Sequence, residues 1–220
     1  MGSFPLEGIY MVYKNKKHLI QSLIQKEDSV LDVGFWGQGV LYDSKDWPHN
    51  IIKEVGAQVY GVDLAYDESK VSPKDHYQKT SAENADFSVR FTKVFAGDVI
   101  EHLSNPGHFL DACYRLLDDT GSLIITTPNT FNLYNIAEKI TKKEPTVNSD
   151  HTCYFNSKTL ACLLKKNNFE VVSVDYLYTL DTDFKPSWKK RFLDFLYFLV
   201  SFITDKFTET LVVVARKKYE

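Results

Sequence analysis

At 220 residues the chain suits one α/β domain with elaborations better than two domains. Its 44% hydrophobic and 25% charged residues are enough for a sizeable core. A net charge of −3 and a pI near 6.1 argue against a nucleic-acid partner, which calls for a basic domain.

Strands and helices alternate along the chain, the pattern of βαβ units and a mainly parallel sheet. Residues 15–25 read as a short amphipathic helix, and "SVLDV" at 29–33 as the first strand, which runs into the Gly-rich "GFWGQG" at 34–39. Pro48 starts a helix that stops at Gly56. "QVYGV" at 58–62 is the second strand, "HYQKT" a short third, and "TKVFA" at 92–96 the fourth. Asn105-Pro106 opens a helix with Phe109, Leu110, Cys113, Leu116 and Leu117 on its apolar face. "DDTG" at 118–121 reads as a turn and "SLIITT" at 122–127 as a buried strand closed by Pro128. Helices are expected near 131–142 and 157–167, then strands at 169–178 and 210–216. The segment 188–207 is apolar on nearly all faces and is led by Lys189, Lys190 and Arg191. It is too short, and too interrupted at Asp194, to span a bilayer. Three readings fit it: a helix over the active site, a homodimer contact, or a peripheral membrane anchor.

Cysteines 113, 153 and 162 lack CxxC spacing, so neither a disulfide framework nor a zinc site is expected. Reduced thiols and an N-terminus without a continuous apolar run point to the cytoplasm.

The chemistry concentrates at strand ends. After Asp32 come Gly34, Gly37 and Gly39, which let the backbone turn sharply and approach a ligand closely. Asp63 ends the second strand 24 positions beyond Gly39, near the roughly 20 expected for a ribose-gripping acid. The glycines run GxxGxG, whereas a dinucleotide fingerprint needs GxGxxG, which disfavours a nicotinamide-dependent oxidoreductase. His102 in "EHL" and His151 in "SDHTCYF" are the candidate catalytic bases, with Glu101 placed to orient one of them or meet substrate. The remaining histidines, 18, 49, 76 and 108, read as surface residues. Asn129, Asn132 and Tyr134 follow the fifth long strand, where substrate contacts are expected, with capping the competing role for Asn129 or Thr130.

Four stretches resemble the class I S-adenosylmethionine (SAM)-dependent methyltransferases. They are "VLDVGFWGQG", "VYGVDLA", the run from "FTKVFAGDVIEHL" to "IITTPN", and "DHTCYFNSKTLACLLKKNNFEVVSV". The group includes ubiquinone-biosynthesis O-methyltransferases and many sugar and natural-product methyltransferases. The resemblance implies a Rossmann-like fold: a mainly parallel seven-stranded sheet, an antiparallel last strand and helices on both faces. It implies one domain over 1–220 with a helical insertion at about 181–208. It also implies SAM as cofactor, with the three glycines near methionine and ribose. Asp32 would orient the loop or meet the methionyl amino group. Asp63 and Leu64 would lie at the ribose, Ser81 and Ala82 beside adenine, and Asp98 and Val99 at the methyl-donor pocket. Phe35-Trp36 stand where the family usually has one residue, so they are expected to bulge into or cap the cofactor pocket. Ser81 replaces an acid that many relatives direct at adenine. The acceptor would be a small molecule or, by a likeness of the late aromatic segment to enzymes of cell-surface glycan pathways, a sugar. A non-catalytic SAM-fold binding or scaffold protein is the alternative.

Overall fold

The computed structural model describes residues 10–37, 44–71, 76–141, 144–145, 147–178, 195–196, 199–200 and 204–218. Eight strands are described: β1 (Val12–Tyr13), β2 (Ser29–Val33), β3 (Gln58–Asp63), β4 (His76–Lys79), β5 (Phe91–Gly97), β6 (Leu117–Pro128), β7 (Phe169–Leu177) and β8 (Thr210–Lys217). They form one sheet in the order β1-β7-β8-β6-β5-β2-β3-β4. The five strands from β6 to β4 run parallel, while β8 is antiparallel to both β6 and β7. The expected Rossmann-like order is therefore present, with one strand more than the seven expected. The addition is β1, which pairs with β7 through Val12 and Tyr13 alone and is too short to show a period.

Five α-helices with named bounds are among the described residues: α1 (Lys16–Leu23), α2 (Pro48–Val55), α3 (Pro106–Leu116), α4 (Leu133–Thr141) and α5 (Ser157–Lys166). Their ends follow local chemistry. Pro48 sits in the first turn of α2, and Gly56 ends it at φ 91, a left-handed value that suits glycine. Asn105 caps α3 by accepting from the His108 N–H, and Asn156 and Thr159 form a capping box on α5.

Alternation along the strands feeds two cores. Leu31, Val33, Val94, Leu123 and Val213 pack with Phe109, Leu110, Leu160 and Leu164 on the α3–α5 side. Val30, Phe95, Ile124 and Val212 pack with Leu19, Ile20, Ile51 and Ile52 on the α1–α2 side. Both faces are covered, which is why these strands read as continuous apolar runs. Burying each of those four helix side chains contributes up to about 1.5–3 kcal/mol.

The predicted turn at 118–121 is instead an excursion within β6. Phe91 pairs with Leu117 and Lys93 with Ser122, so the extra residues of β6 bulge out without ending the strand. A Cβ on Gly121 would sit 2.8 Å from the Phe91 carbonyl oxygen, so the bulge needs a glycine there. Of the 188–207 segment, residues 195–196, 199–200 and 204–207 are described; the first two pairs are helical, with Phe195 and Leu199 exposed, and 204–207 form a turn. The rest of that expected helix lies largely outside the described residues. No helix among the described residues is long and apolar enough to cross a membrane.

Candidate active site

A cavity of about 440 Å³ opens at the C-terminal ends of β2, β3 and β5. Ligands of open parallel sheets bind at such strand ends. Of the residues singled out in the sequence, Gly34, Trp36, Gly37, Asp63, Leu64, Ser81, Ala82, Asp98, Val99 and His102 line it. Gly39 lies outside the described residues. Lys16, Leu103 and Asn148 also line the cavity and were not foreseen. Lys16 arrives on α1, far from every motif, so no spacing signal marks it.

The glycine loop is shaped by backbone need. Gly34 has φ 68 and Gly37 φ 71. A Cβ on Gly34 would stand 2.6 Å from Cγ2 of Val99, whereas one on Gly37 would meet nothing within 4 Å. Gly34 is therefore fixed by both conformation and space, and Gly37 by conformation alone.

Asp63 closes β3. Its Oδ2 accepts from the Trp36 N–H at 2.9 Å and its Oδ1 from the Ala65 N–H at 3.1 Å. Each carboxylate oxygen keeps lone-pair capacity for one more donor. The two bonds fix the carboxylate against the loop. The Ser81 hydroxyl accepts from the Glu83 N–H and so caps the short 3-10 turn of Ala82–Asn84.

Two expectations for the loop change. Trp36 lines the cavity as predicted, but Phe35 is fully buried and does not. Phe35 stacks on Tyr77 at 4.7 Å and packs against Trp47, His49 and Tyr66. The extra residue thus feeds a separate aromatic cluster behind the loop. Asp32 is also fully buried and does not line the cavity. Its Oδ2 lies 2.9 Å from Nδ1 of His49, which is likewise fully buried and not a surface residue. Burial, the larger effect, pushes the Asp32 carboxyl above the usual range, and His49 pulls it down.

At the other end stand Asp98 and the Glu101–His102 pair. Asp98 has φ 55, left-handed for a residue with a side chain. Thr126 holds it there: its hydroxyl accepts from the Asp98 N–H at 3.2 Å and donates to Oδ1 at 2.9 Å. Oδ2 of Asp98 meets the Lys16 ammonium at 2.8 Å. His102 ends the 3-10 turn Ile100–His102, and its ring lies 4.6 Å from that of His151, edge to face. His151 is delivered by the backbone of Glu101, whose carbonyl accepts from the Thr152 and Cys153 N–H groups at 2.8 and 3.2 Å. Burial, and next the charge of His102, lower the His151 pKa. The two candidate bases are therefore brought together.

Glu101 is buried and does not line the cavity. Thr127 donates to its Oε2 at 3.0 Å, and Oε1 has no hydrogen-bond partner among the described residues. Burial first, then the charge of Asp98, push its carboxyl from 4.5 up to about 7. Ligand atoms of Glu101, His102 and His151 lie within 4.8 Å of one another, a set that can hold a metal ion. No ligand spacing along the chain marks it.

Glu101 carries a stability prediction. Its folded state binds the proton more tightly than the unfolded chain does. The linked stability is full below the ordinary value of 4.5 and is lost as pH rises through about 7. The loss is on the order of 3 kcal/mol, at 1.36 kcal/mol per unit. Glu101→Gln should flatten this dependence. Denaturant melts in EDTA on either side of the window check it; an unchanged slope in the variant would refute the assignment.

Asn129, Asn132 and Tyr134 do not line the cavity. Asn129 is buried, and its amide donates to the carbonyls of Lys206 and Thr208 at 3.0 and 2.9 Å, tying residues 206–208 to the end of β6. The Asn132 side chain accepts from the Asn135 N–H at the start of α4. Capping and tethering thus occupy both asparagines.

Comparison with known proteins follows this geometry. A family model described as a methyltransferase domain matches residues 11–174. The ubiquinone biosynthesis O-methyltransferase of Bradyrhizobium diazoefficiens is 32% identical over 108 residues, covering 46% of this chain and 40% of that protein. The mitochondrial ubiquinone biosynthesis O-methyltransferase of Mus musculus is 29% identical over 163 residues, covering 66% and 42%. The chain thus spans less than half the length of these relatives. Among solved structures, the Burkholderia thailandensis 1,6-didemethyltoxoflavin-N1-methyltransferase, bound to 1,6-didemethyltoxoflavin and S-adenosylhomocysteine, has a TM-score of 0.59 at 17% identity, covering 93% of this chain and 79% of that one. A SAM-dependent methyltransferase from Archaeoglobus fulgidus has a TM-score of 0.60 at 18% identity, covering 91% and 94%. At such identities these two likenesses show the fold. The residues present fit SAM: a glycine loop at the cavity wall, with no room for a Cβ on Gly34 against Val99, stands beside a strand-end carboxylate with acceptor capacity to spare. The family match, the fold and this cavity agree, and the chain belongs to the SAM-dependent methyltransferase domain family.

Proposed function

We propose that this chain transfers the methyl group of SAM to an oxygen of a small-molecule or sugar acceptor. One observation carries the reading: a single cavity joins the Gly34–Asp63–Ser81 wall to His102, Leu103 and Asn148. Cofactor and acceptor ends are thereby adjacent. The cofactor, when bound, supplies an electrophilic sulfonium methyl. Asp63, with Leu64 beside it, would accept from the ribose hydroxyls, Ser81 and Ala82 would border the adenine, and Gly34 and Gly37 would let the cofactor approach the backbone. Asp98 and Val99 flank the methyl side. Fixing both partners in line supplies roughly 7–11 kcal/mol of the barrier. His102, with His151 behind it, takes the acceptor proton. The bacterial and mouse relatives are O-methyltransferases, which supports oxygen as the target.

Asp63→Ala tests the cofactor end. Loss of charge-assisted hydrogen bonds should weaken S-adenosylhomocysteine binding by about 1.5–3 kcal/mol, roughly 10- to 150-fold. Calorimetry with unchanged affinity would remove Asp63 from the site. Labelled-methyl transfer to phenolic and sugar acceptors tests the reaction; absence of transfer to any of them in a SAM-binding protein would favour the non-catalytic binding reading.

A further inference from the structure

Behind the glycine loop lies a buried polar chain that the proposed reaction does not use. Asp32 and His49 are both wholly buried. His49 Nδ1 lies 2.9 Å from Asp32 Oδ2, and its Nε2 lies 2.8 Å from the Tyr77 hydroxyl. Lys53, exposed on α2, reaches the same hydroxyl at 2.8 Å. An ammonium only donates, so the Tyr77 oxygen accepts there. With the neutral Nδ1–H tautomer of His49 the chain runs in one direction: Tyr77 donates to Nε2, and Nδ1–H donates to Asp32.

Stability alone does not account for this arrangement. Oδ1 of Asp32 is buried and has no hydrogen-bond partner among the described residues. A well-packed apolar pair of similar volume is often as stable as a buried ionic one, or more so. What the chain does touch is the loop. Phe35 sits between Gly34 and Trp36, both at the cavity wall. Its ring stacks on Tyr77 at 4.7 Å with an interplanar angle of 16° and lies 5.0 Å from His49. Its carbonyl accepts from Trp47 Nε1 at 2.6 Å, and the Trp47 ring lies 5.0 Å from His49. Asp32 itself is two residues before Gly34.

We propose that Asp32, His49 and Tyr77 are positioning residues for cofactor binding: they fix Phe35, and through it hold Gly34 and Trp36 at the cavity wall. The inference rests on the cofactor reading above. None of the three residues lines the cavity, so each acts through the loop.

The test is S-adenosylhomocysteine affinity by calorimetry, with thermal melting measured in parallel on the full chain. Tyr77→Phe keeps the ring on Phe35 and cuts the chain. It should weaken binding on the order of tenfold, as for one buried hydrogen bond, with the melting temperature near wild type. His49→Leu should weaken it at least as much. His49→Gln offers an amide that donates to Asp32 and a carbonyl that accepts from Tyr77, and it should restore most of the affinity. Tyr77→Phe and His49→Leu proteins that bind as tightly as wild type would overturn the proposal. So would affinity losses that simply track melting temperature, with no rescue by His49→Gln. Wild-type protein that fails to bind overturns the cofactor reading itself, and this inference with it.

Discussion

His102→Gln should lower methyl transfer by about 10²–10⁴-fold, the usual contribution of a positioned general base. S-adenosylhomocysteine affinity should stay near wild type, because the Gly34 and Asp63 wall is untouched. His102 is the member of the histidine pair that lines the cavity. His151, 4.6 Å away between ring centroids, is held below its ordinary pKa by burial and by the charge of His102. That shift favours the neutral form of the His151 imidazole. The check is kcat and KM for both single variants. A kcat unchanged in His102→Gln would end its role as base. A larger loss in His151→Gln than in His102→Gln would exchange their roles.

Phe35→Ala should cost about 3–5 kcal/mol of stability, the range for deleting a buried aromatic ring. In a domain of this size that corresponds to a melting temperature lower by about 6–20 °C. Phe35 is fully buried and touches rings from four directions: Trp47, His49, Tyr66 and Tyr77. Its ring also fills the space above β3, where a Cβ on Gly61 would come within 2.7 Å of it. Residues 35 and 61 are thus a matched pair, the large ring requiring the missing side chain. A melting temperature within experimental error of wild type would show that the cluster relaxes into the void.

Much of the scaffold is legible in the sequence because its signals are local. Pro48 and Gly56 bracket α2, Asn105-Pro106 opens α3, and the apolar runs of β2, β5 and β6 mark strands buried on both faces. The cavity-lining set is legible where a motif fixes it: Gly34, Asp63 and His102 each sit at a strand end or the turn just after it. Legibility fails where a side chain's direction decides its role. Phe35 and Trp36 are adjacent, yet one points into the core and the other to the cavity. His49 lies on a helix with charged neighbours at 53 and 54, so it reads as a surface residue. The tertiary approach of Asp32, Phe35 and Tyr77 buries it. Asn129 and Asn132 carry amides suited equally to substrate or backbone, and the approach of residues 206–208 decides for backbone at Asn129. Lys16 enters the cavity from a helix more than eighty positions away from Asp98.

The central claim is that the cavity at the ends of β2, β3 and β5 is a SAM site. Calorimetric titration of the wild-type chain with S-adenosylhomocysteine, beside a titration with NAD, tests it most directly. Saturable one-to-one binding of S-adenosylhomocysteine, and none of NAD, is expected. A flat S-adenosylhomocysteine titration, or saturable NAD binding in its place, would contradict it.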